Sequence, residues 1–343
     1  MRWWLRVSLA MGALLALVAG ITPPWNAALI AATATPAAPA VRPRFFLYGD
    51  GVIDLKNFHT GEEQHVRFRD ASGRYSPEAL DRLMTLFRSR GDNRTADVSL
   101  RLIELLDYVE DHFKPREMLL MSGYRSPEYN AQIRDQGAQA AKSSLHTEGL
   151  AADIRFVGLD QHALWLELRA LDCCGTGYYK SGQFIHLDVG RPRFWEETTS
   201  RVSENLSAGN ARVFARTDFD RYDALPGAVV SLYSVTLRPL RIARRAELIG
   251  EGGGDPGREV DLVPASAGDA TGADSDCFDL AQAPATPPDR FVVSRTEGAA
   301  DDAPAHRGGK REGKRGRIIL RTCEPRLEAT PATIESNVVE LGD

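Results

Sequence analysis

The chain has 343 residues, 43% of them hydrophobic and 26% charged, so it has room for two folded domains. Its net charge of −5 is too small to imply a polyanionic partner, which argues against a nucleic-acid binder.

Arg2 and Arg6 form a short basic stretch, and Val7 to Ile21 follows without a charge. That is the length of a signal-peptide apolar region and short for a membrane span. Ala32-Thr33-Ala34 is a small-x-small cleavage candidate, with Val18-Ala19-Gly20 as an alternative. Residues 1–34 are therefore expected to be a signal peptide or an uncleaved N-terminal anchor. On either reading the body is exported to the periplasm or cell envelope, and a membrane is a partner only through such an anchor. An Ala-, Pro- and Thr-rich tether follows, with 35–44 as the linker.

Phe45-Phe46-Leu47-Tyr48 begins ordered structure, and 51–69 has short β-like runs. Ser76-Pro77-Glu78 is a helix start: a capping Ser, Pro at the first helical position, then an acid. Leu80, Leu83, Met84 and Phe87 follow at helical spacing. A second helix is predicted over roughly 98–112, with Leu102, Leu105, Leu106 and Val109 as its buried stripe, and a central strand over Met118–Met121. Ser126-Pro127-Glu128 launches a third helix through Arg134, and Asp160 caps a fourth to about Leu171. Tyr178-Tyr179 and Phe184–Val189 read as strands. Helices first, then strands around polar residues, indicate an α+β domain over 45–200.

Residues 201–343 read as β-rich, with strand runs in 228–248, at Phe291-Val292-Val293 and at Ile318-Ile319-Leu320. The Gly-, Asp- and Ala-rich stretch 250–275 is expected to be a flexible segment, and the basic run His306–Arg317 a solvated loop. Export makes disulfides admissible. Cys277 and Cys323 flank strand-like runs and could pair, whereas adjacent Cys173 and Cys174 are expected to be small buried hydrophobes. No Cys-x-x-Cys is present, which argues against a thiolate metal site.

The chemistry is concentrated in Ser144-Leu-His-Thr-Glu-Gly-Leu-Ala-Ala-Asp153 and Phe184-Ile-His-Leu-Asp188. His146, Asp153 and His186 make two imidazoles and one carboxylate, three ligands of the kind Zn²⁺ accepts, with a fourth position left for water. Strand parity puts Phe184, His186 and Asp188 on one face and Ile185, Leu187 and Val189 on the other. In 151–156 it likewise separates Asp153 from Ile154 and Phe156. Each strand thus offers ligands from a polar face and buries an apolar one.

Ser144-x-His146-x-x-Gly149-x-Ala151-x-Asp153 followed by a strand His resembles the zinc D-Ala-D-Ala peptidases, which include the VanX-type dipeptidases and share a metal fold with the hedgehog signalling domain. Ser122-Gly123-Tyr124-Arg125-Ser126 and Phe184–Asp188 are most similar to the MepK (YcbK-like) murein endopeptidases of that group. The resemblance covers about 45–195. It implies an antiparallel sheet with helices on one side, carrying zinc on His146, Asp153 and His186, and hydrolysis of peptide bonds in peptidoglycan cross-links or stem peptides. Arg125 stands at the family's Arg position and is expected to hold the substrate carbonyl and developing oxyanion, with a structural salt bridge as the other reading. Ser144 either contacts substrate or orients His146. Many members carry a general-base Glu three residues before the last His; here that residue is Gln183. Asp188 and Glu148 are the candidates to replace it, and Asp188 is equally suited to orienting a ligand. The alternatives are a D,D-carboxypeptidase or dipeptidase acting on D-Ala-D-Ala ends, and a catalytically inactive, zinc-containing wall-binding module.

Overall fold

The computed structural model describes residues 43–342 apart from 138–139, 202–203, 238–239, 253–256, 267–269, 272–275, 281–288 and 295–313. Residues 1–42, expected from the sequence to hold a signal peptide or anchor and the start of a linker, lie outside the described residues. Among the described residues no helix is long and apolar enough to cross a membrane.

Residues 43–200 form strands β1 (Val52–Asn57), β2 (Glu63–Arg67), β3 (Glu117–Ser122), β4 (Ala151–Val157), β5 (Gly175–Tyr179), β6 (Phe184–Asp188) and β7 (Arg193–Glu196). They also form helices α1 (Pro77–Leu86), α2 (Leu100–Phe113), α3 (Pro127–Asp135) and α4 (Gln161–Ala170). Three helices start where local chemistry places them. The side chains of Ser76, Ser126 and Asp160 each accept a hydrogen bond from a backbone N–H of their own first turn, with Pro77 and Pro127 opening two of them.

The seven strands run in the order β2-β1-β3-β4-β6-β5-β7. The sheet is mixed, not antiparallel as the resemblance implies: β1 pairs with β3, and β5 with β7, in parallel. The connection from β1 through β2, α1 and α2 is long enough for β3 to return in the direction of β1. One sheet face, with Leu120, Ile154, Phe156, Ile185 and Leu187, packs with α1, α2 and α4 in a single core. The other face is polar along β4 and β6, and there Asp153 stands directly across from His186.

Residues 201–342 add β8 (Phe214–Thr217), β9 (Arg221–Tyr222), β10 (Val229–Tyr233), β11 (Leu240–Gly250), β12 (Arg258–Pro264), β13 (Ala270–Thr271), β14 (Cys277–Leu280), β15 (Asp289–Ser294), β16 (Lys314–Thr322) and β17 (Thr333–Leu341). The main path of this second sheet is β8-β10-β15-β12-β11-β16-β17-β9. It curls back on itself, since Asn337 Oδ1 of β17 accepts from Thr217 N of β8 at 2.8 Å, and it encloses its own apolar core. Two segments differ from expectation. The 250–275 segment contains β12, whose Val260 and Leu262 are buried between β11 and β15. Lys314–Arg317, predicted as loop, opens β16; 306–313 lie outside the described residues. Alternating apolar residues secured by long-range pairing outweigh the polar, Gly-rich surroundings.

Cys277 and Cys323 are paired, with Cα atoms 6.5 Å apart. Cys173 and Cys174 are also a disulfide, which corrects their reading as free buried thiols. They sit in the turn after α4, entered through Asp172 at φ 48°, and still pack against the core.

The two sheets are joined by buried and half-buried polar groups. Arg101 of α2 pairs with Asp220, which also accepts from Phe46 N at 2.9 Å and Asn337 Nδ2 at 3.0 Å. Arg216 of β8 donates to Val189 O at 2.8 Å and to Gly190 O, bracing the end of β6. Asp220→Ala leaves the partly buried Arg101 without its counter-charge and is expected to cost up to about 3–5 kcal/mol, read as a lowered midpoint in denaturant unfolding.

Candidate metal centre and groove

His146 lies in a short 3₁₀ turn, Leu145–Glu148. Ser144 Oγ accepts from His146 N at 3.3 Å to cap the turn, and Gly149 closes it at φ 67°. A Cβ on Gly149 would meet Asp97 O at 2.2 Å, so only glycine fits. Asp153 and His186 come from paired positions on β4 and β6. Gly175 and Gly177 of β5 keep the next lane clear: a Cβ on either would strike Asp188 or Trp195.

The three predicted ligands converge. His186 Nδ1 is 2.9 Å and His146 Nε2 is 3.3 Å from Asp153 Oδ1, and the two ring nitrogens are 3.2 Å apart. Neighbouring ligand atoms around a tetrahedral zinc stand about 3.3 Å apart, given bonds of roughly 2.0–2.1 Å. The outward nitrogens decide the tautomers. His146 Nδ1 lies 2.7 Å from Gly123 O, which can only accept, so Nδ1 carries the proton. His186 Nε2 lies 3.0 Å from Asp188 Oδ2 and carries its proton for the same reason. Two lone pairs and a carboxylate oxygen then face one another with no proton between them, an arrangement that a cation stabilises. Among the described residues, these three and one all-carboxylate cluster are the groups able to hold a metal.

The electrostatics agree. Burial pushes His146 below the usual imidazole range, and Arg125 adds to it. Burial opposes ionisation of Asp153, but His146 and Arg125 outweigh it and hold the carboxyl well below its ordinary range. Burial would lower His186 too, yet the carboxylates of Asp153 and Asp188 beside it hold it above that range, which expresses the pocket's demand for positive charge.

Asp188 is fully buried. It accepts from His186 Nε2, from Gly190 N at 2.8 Å, and from both Arg193 terminal nitrogens at 3.0 and 2.7 Å. Its oxygens are thus committed to positioning, and it offers no face to the groove. Glu148 is turned away from the triad, with Ser234 N 3.4 Å from its Oε2, and burial pushes it up to about 7. Gln183 sits at φ 55° in the β5–β6 turn and donates to Lys180 O of that turn. None of the three is a groove-lining proton carrier.

Arg125 Nη2 donates to Asp153 Oδ2 at 2.6 Å and Nε to Ser122 Oγ at 2.8 Å. The salt-bridge reading of Arg125 is therefore present, and its guanidinium also lines the groove. That groove, about 310 Å³, opens on the triad and is walled by Ser144, Tyr179, Phe184, Trp195 and Glu197. A second groove of about 350 Å³ shares Arg125, Asp153 and Phe184 and continues past His59 and Arg90. Trp195 and Glu197 were missed in the sequence. Trp195 lies 5.2 Å from the His186 ring, and Glu197 accepts from Ser181 N at 2.9 Å. Trp195 lies on β7 and Glu197 opens the turn just after it, so reading them as groove residues needed the knowledge that β7 flanks β5. Tyr179 stacks on Phe184 and accepts from Trp195 Nε1, whereas Tyr178 packs near Trp165 and His162.

A family profile described as "Peptidoglycan L,D-endopeptidase MepK" matches residues 49–195, the part that builds the first sheet and both grooves. Peptidoglycan L,D-endopeptidase MepK of Escherichia coli K12 is 32% identical over 145 residues, covering 42% of this chain and 79% of that protein. Probable peptidoglycan L,D-endopeptidase MepK of Haemophilus influenzae is 31% identical over 147 residues, covering 42% of this chain and 78% of its own. No solved structure matches. With the site-bearing segment aligned over most of these relatives' length, the chain belongs to the MepK family of peptidoglycan endopeptidases.

Proposed function

We propose that this chain is an exported zinc metallopeptidase of the periplasm or cell envelope that hydrolyses peptide bonds in peptidoglycan cross-links or stem peptides. The observation that carries the reading is the convergence of three electron-rich atoms, from His146, Asp153 and His186, on the floor of a groove. These residues would hold the metal. Zinc, when bound, polarises a carbonyl and acidifies a water toward a pKa of about 7. Arg125 supplies a fixed cation where charge develops on the scissile carbonyl oxygen. Asp188, clamped by Arg193, fixes the ring plane and tautomer of His186. Ser144 holds the turn that carries His146, and Tyr179, Phe184 and Trp195 shape the wall against which a peptide lies.

A groove on either side of Arg125 and Asp153 suits cleavage within a peptide better than trimming of a D-Ala-D-Ala end. The test is muropeptide release from purified sacculi, with and without a chelator. Zinc-loaded protein is expected to release cleaved stems and to stop when chelated. Intact cross-links and stems in both conditions would leave only a wall-binding role. Asp188→Asn is expected to weaken zinc binding about 10- to 100-fold, measured by competition with a chromophoric chelator.

A further inference from the structure

A second cluster of carboxylates takes no part in the groove. Asp107 and Asp111 lie at i and i+4 on α2, so they share a helix face. That face meets the Gly49-Asp50-Gly51 loop leading into β1. Gly49 N and Gly51 N donate to Asp107 Oδ2 at 3.1 and 2.9 Å, and Asp50 N donates to Asp111 Oδ2 at 2.6 Å. One acidic oxygen from each of Asp50, Asp107 and Asp111 lies within 4.8 Å of the others.

The decisive atom is Asp107 Oδ1. Asp107 is 0% exposed, yet this oxygen has no hydrogen-bond partner. It is aimed into the cluster: a Cβ on Gly49 would lie 2.5 Å from Asp107 Oδ1 and 2.6 Å from Asp111 Oδ2. Any side chain at position 49 would therefore collide with the point on which the two carboxylates converge. The neighbouring cation is Arg69, but its short bonds go to Glu104 Oε1 and Gly49 O, both at 2.7 Å, and it comes no closer than 3.7 Å to Asp107. A buried acceptor without a partner destabilises the fold, and a bound cation would offset that cost. Burial, reinforced by neighbouring acids, pushes Asp107 up to about 8 and Glu110 up to about 7.

We propose that Asp50, Asp107 and Asp111 form a calcium site, separate from the His146–Asp153–His186 centre, that ties α2 to the loop entering β1. An all-oxygen donor set suits a hard cation rather than zinc. Asp50 and Asp111 are exposed, so the ion has a path from solvent.

The test uses the full chain with zinc kept saturating. Titration with CaCl₂ by calorimetry is expected to show one additional site per chain, of submillimolar to millimolar affinity. At saturating calcium the melting temperature is expected to rise by about 5 °C. Asp111→Asn, a surface change, is expected to abolish the heat and the melting shift while leaving zinc content and muropeptide release unaltered. Asp107→Asn is the second variant, with the same loss of calcium response expected. The proposal is overturned if wild type gives neither heat nor shift with calcium, or if Asp111→Asn binds calcium as wild type does. Since the calcium heat and the melting shift do not use peptidase activity, failure of the peptidase reading would leave them unchanged.

Discussion

His186→Ala is expected to abolish muropeptide release, with a loss of about 10³-fold or more, and to empty the proposed zinc centre. His186 supplies one of three converging donors and joins both carboxylates of the site, Asp153 at 2.9 Å and Asp188 at 3.0 Å. Its removal leaves His146 and Asp153 as a two-ligand remnant, too few for a catalytic zinc site. It also leaves Asp188 paired only with Arg193 and Gly190. Loss of a Lewis acid worth several kcal/mol of transition-state stabilisation corresponds to that thousandfold fall. Chelation of wild type is expected to give the same loss and zinc to restore it, whereas the variant stays inactive when zinc is added. Circular dichroism distinguishes an emptied site from an unfolded chain. A variant that keeps both zinc and activity overturns the ligand assignment.

Arg125→Ala is the second large effect, an expected 10²- to 10³-fold fall in kcat, as for removal of one oxyanion donor. Arg125 is placed for two tasks, since it holds Asp153 Oδ2 at 2.6 Å and also faces the groove. The tasks separate experimentally. If Arg125 only positions Asp153, zinc affinity falls and saturating zinc restores kcat. If it holds the developing oxyanion, kcat stays low with zinc saturated. Arg125→Lys keeps the charge but loses the fork that reaches Ser122 and Asp153 together, so it is expected to recover only part of the rate.

The helices were legible because their signals are local. Ser76, Ser126 and Asp160 cap the turns they precede, and the leucines of α2 recur at helical spacing within a short window. The convergence of the candidate ligands was legible for a similar reason: strand parity alone puts Asp153 and His186 on faces opposite to Ile154 and Ile185. The direction of β1 against β3, the strand hidden in 250–275 and the pairing of Cys173 with Cys174 were not legible, because each depends on partners or turn geometry that spacing does not encode. Asp188 shows the boundary. Parity placed it beside His186, but only the approach of Arg193 and Gly190 N showed its oxygens to be occupied.

The same division holds for the whole protein. By itself the sequence determined the α+β character, the three donors and the family resemblance, since these rest on residue type, local spacing and the two-residue period of a strand. The tertiary structure alone decided what surrounds them. It placed Trp195 and Glu197 on the groove wall, turned Glu148 and Gln183 out of it, and made Arg125 a partner of Asp153. It also set Arg216 of the second sheet against the end of β6, so the C-terminal region braces the strand that carries His186. Those contacts join residues far apart in the chain, and their geometry exists only once both sheets have packed.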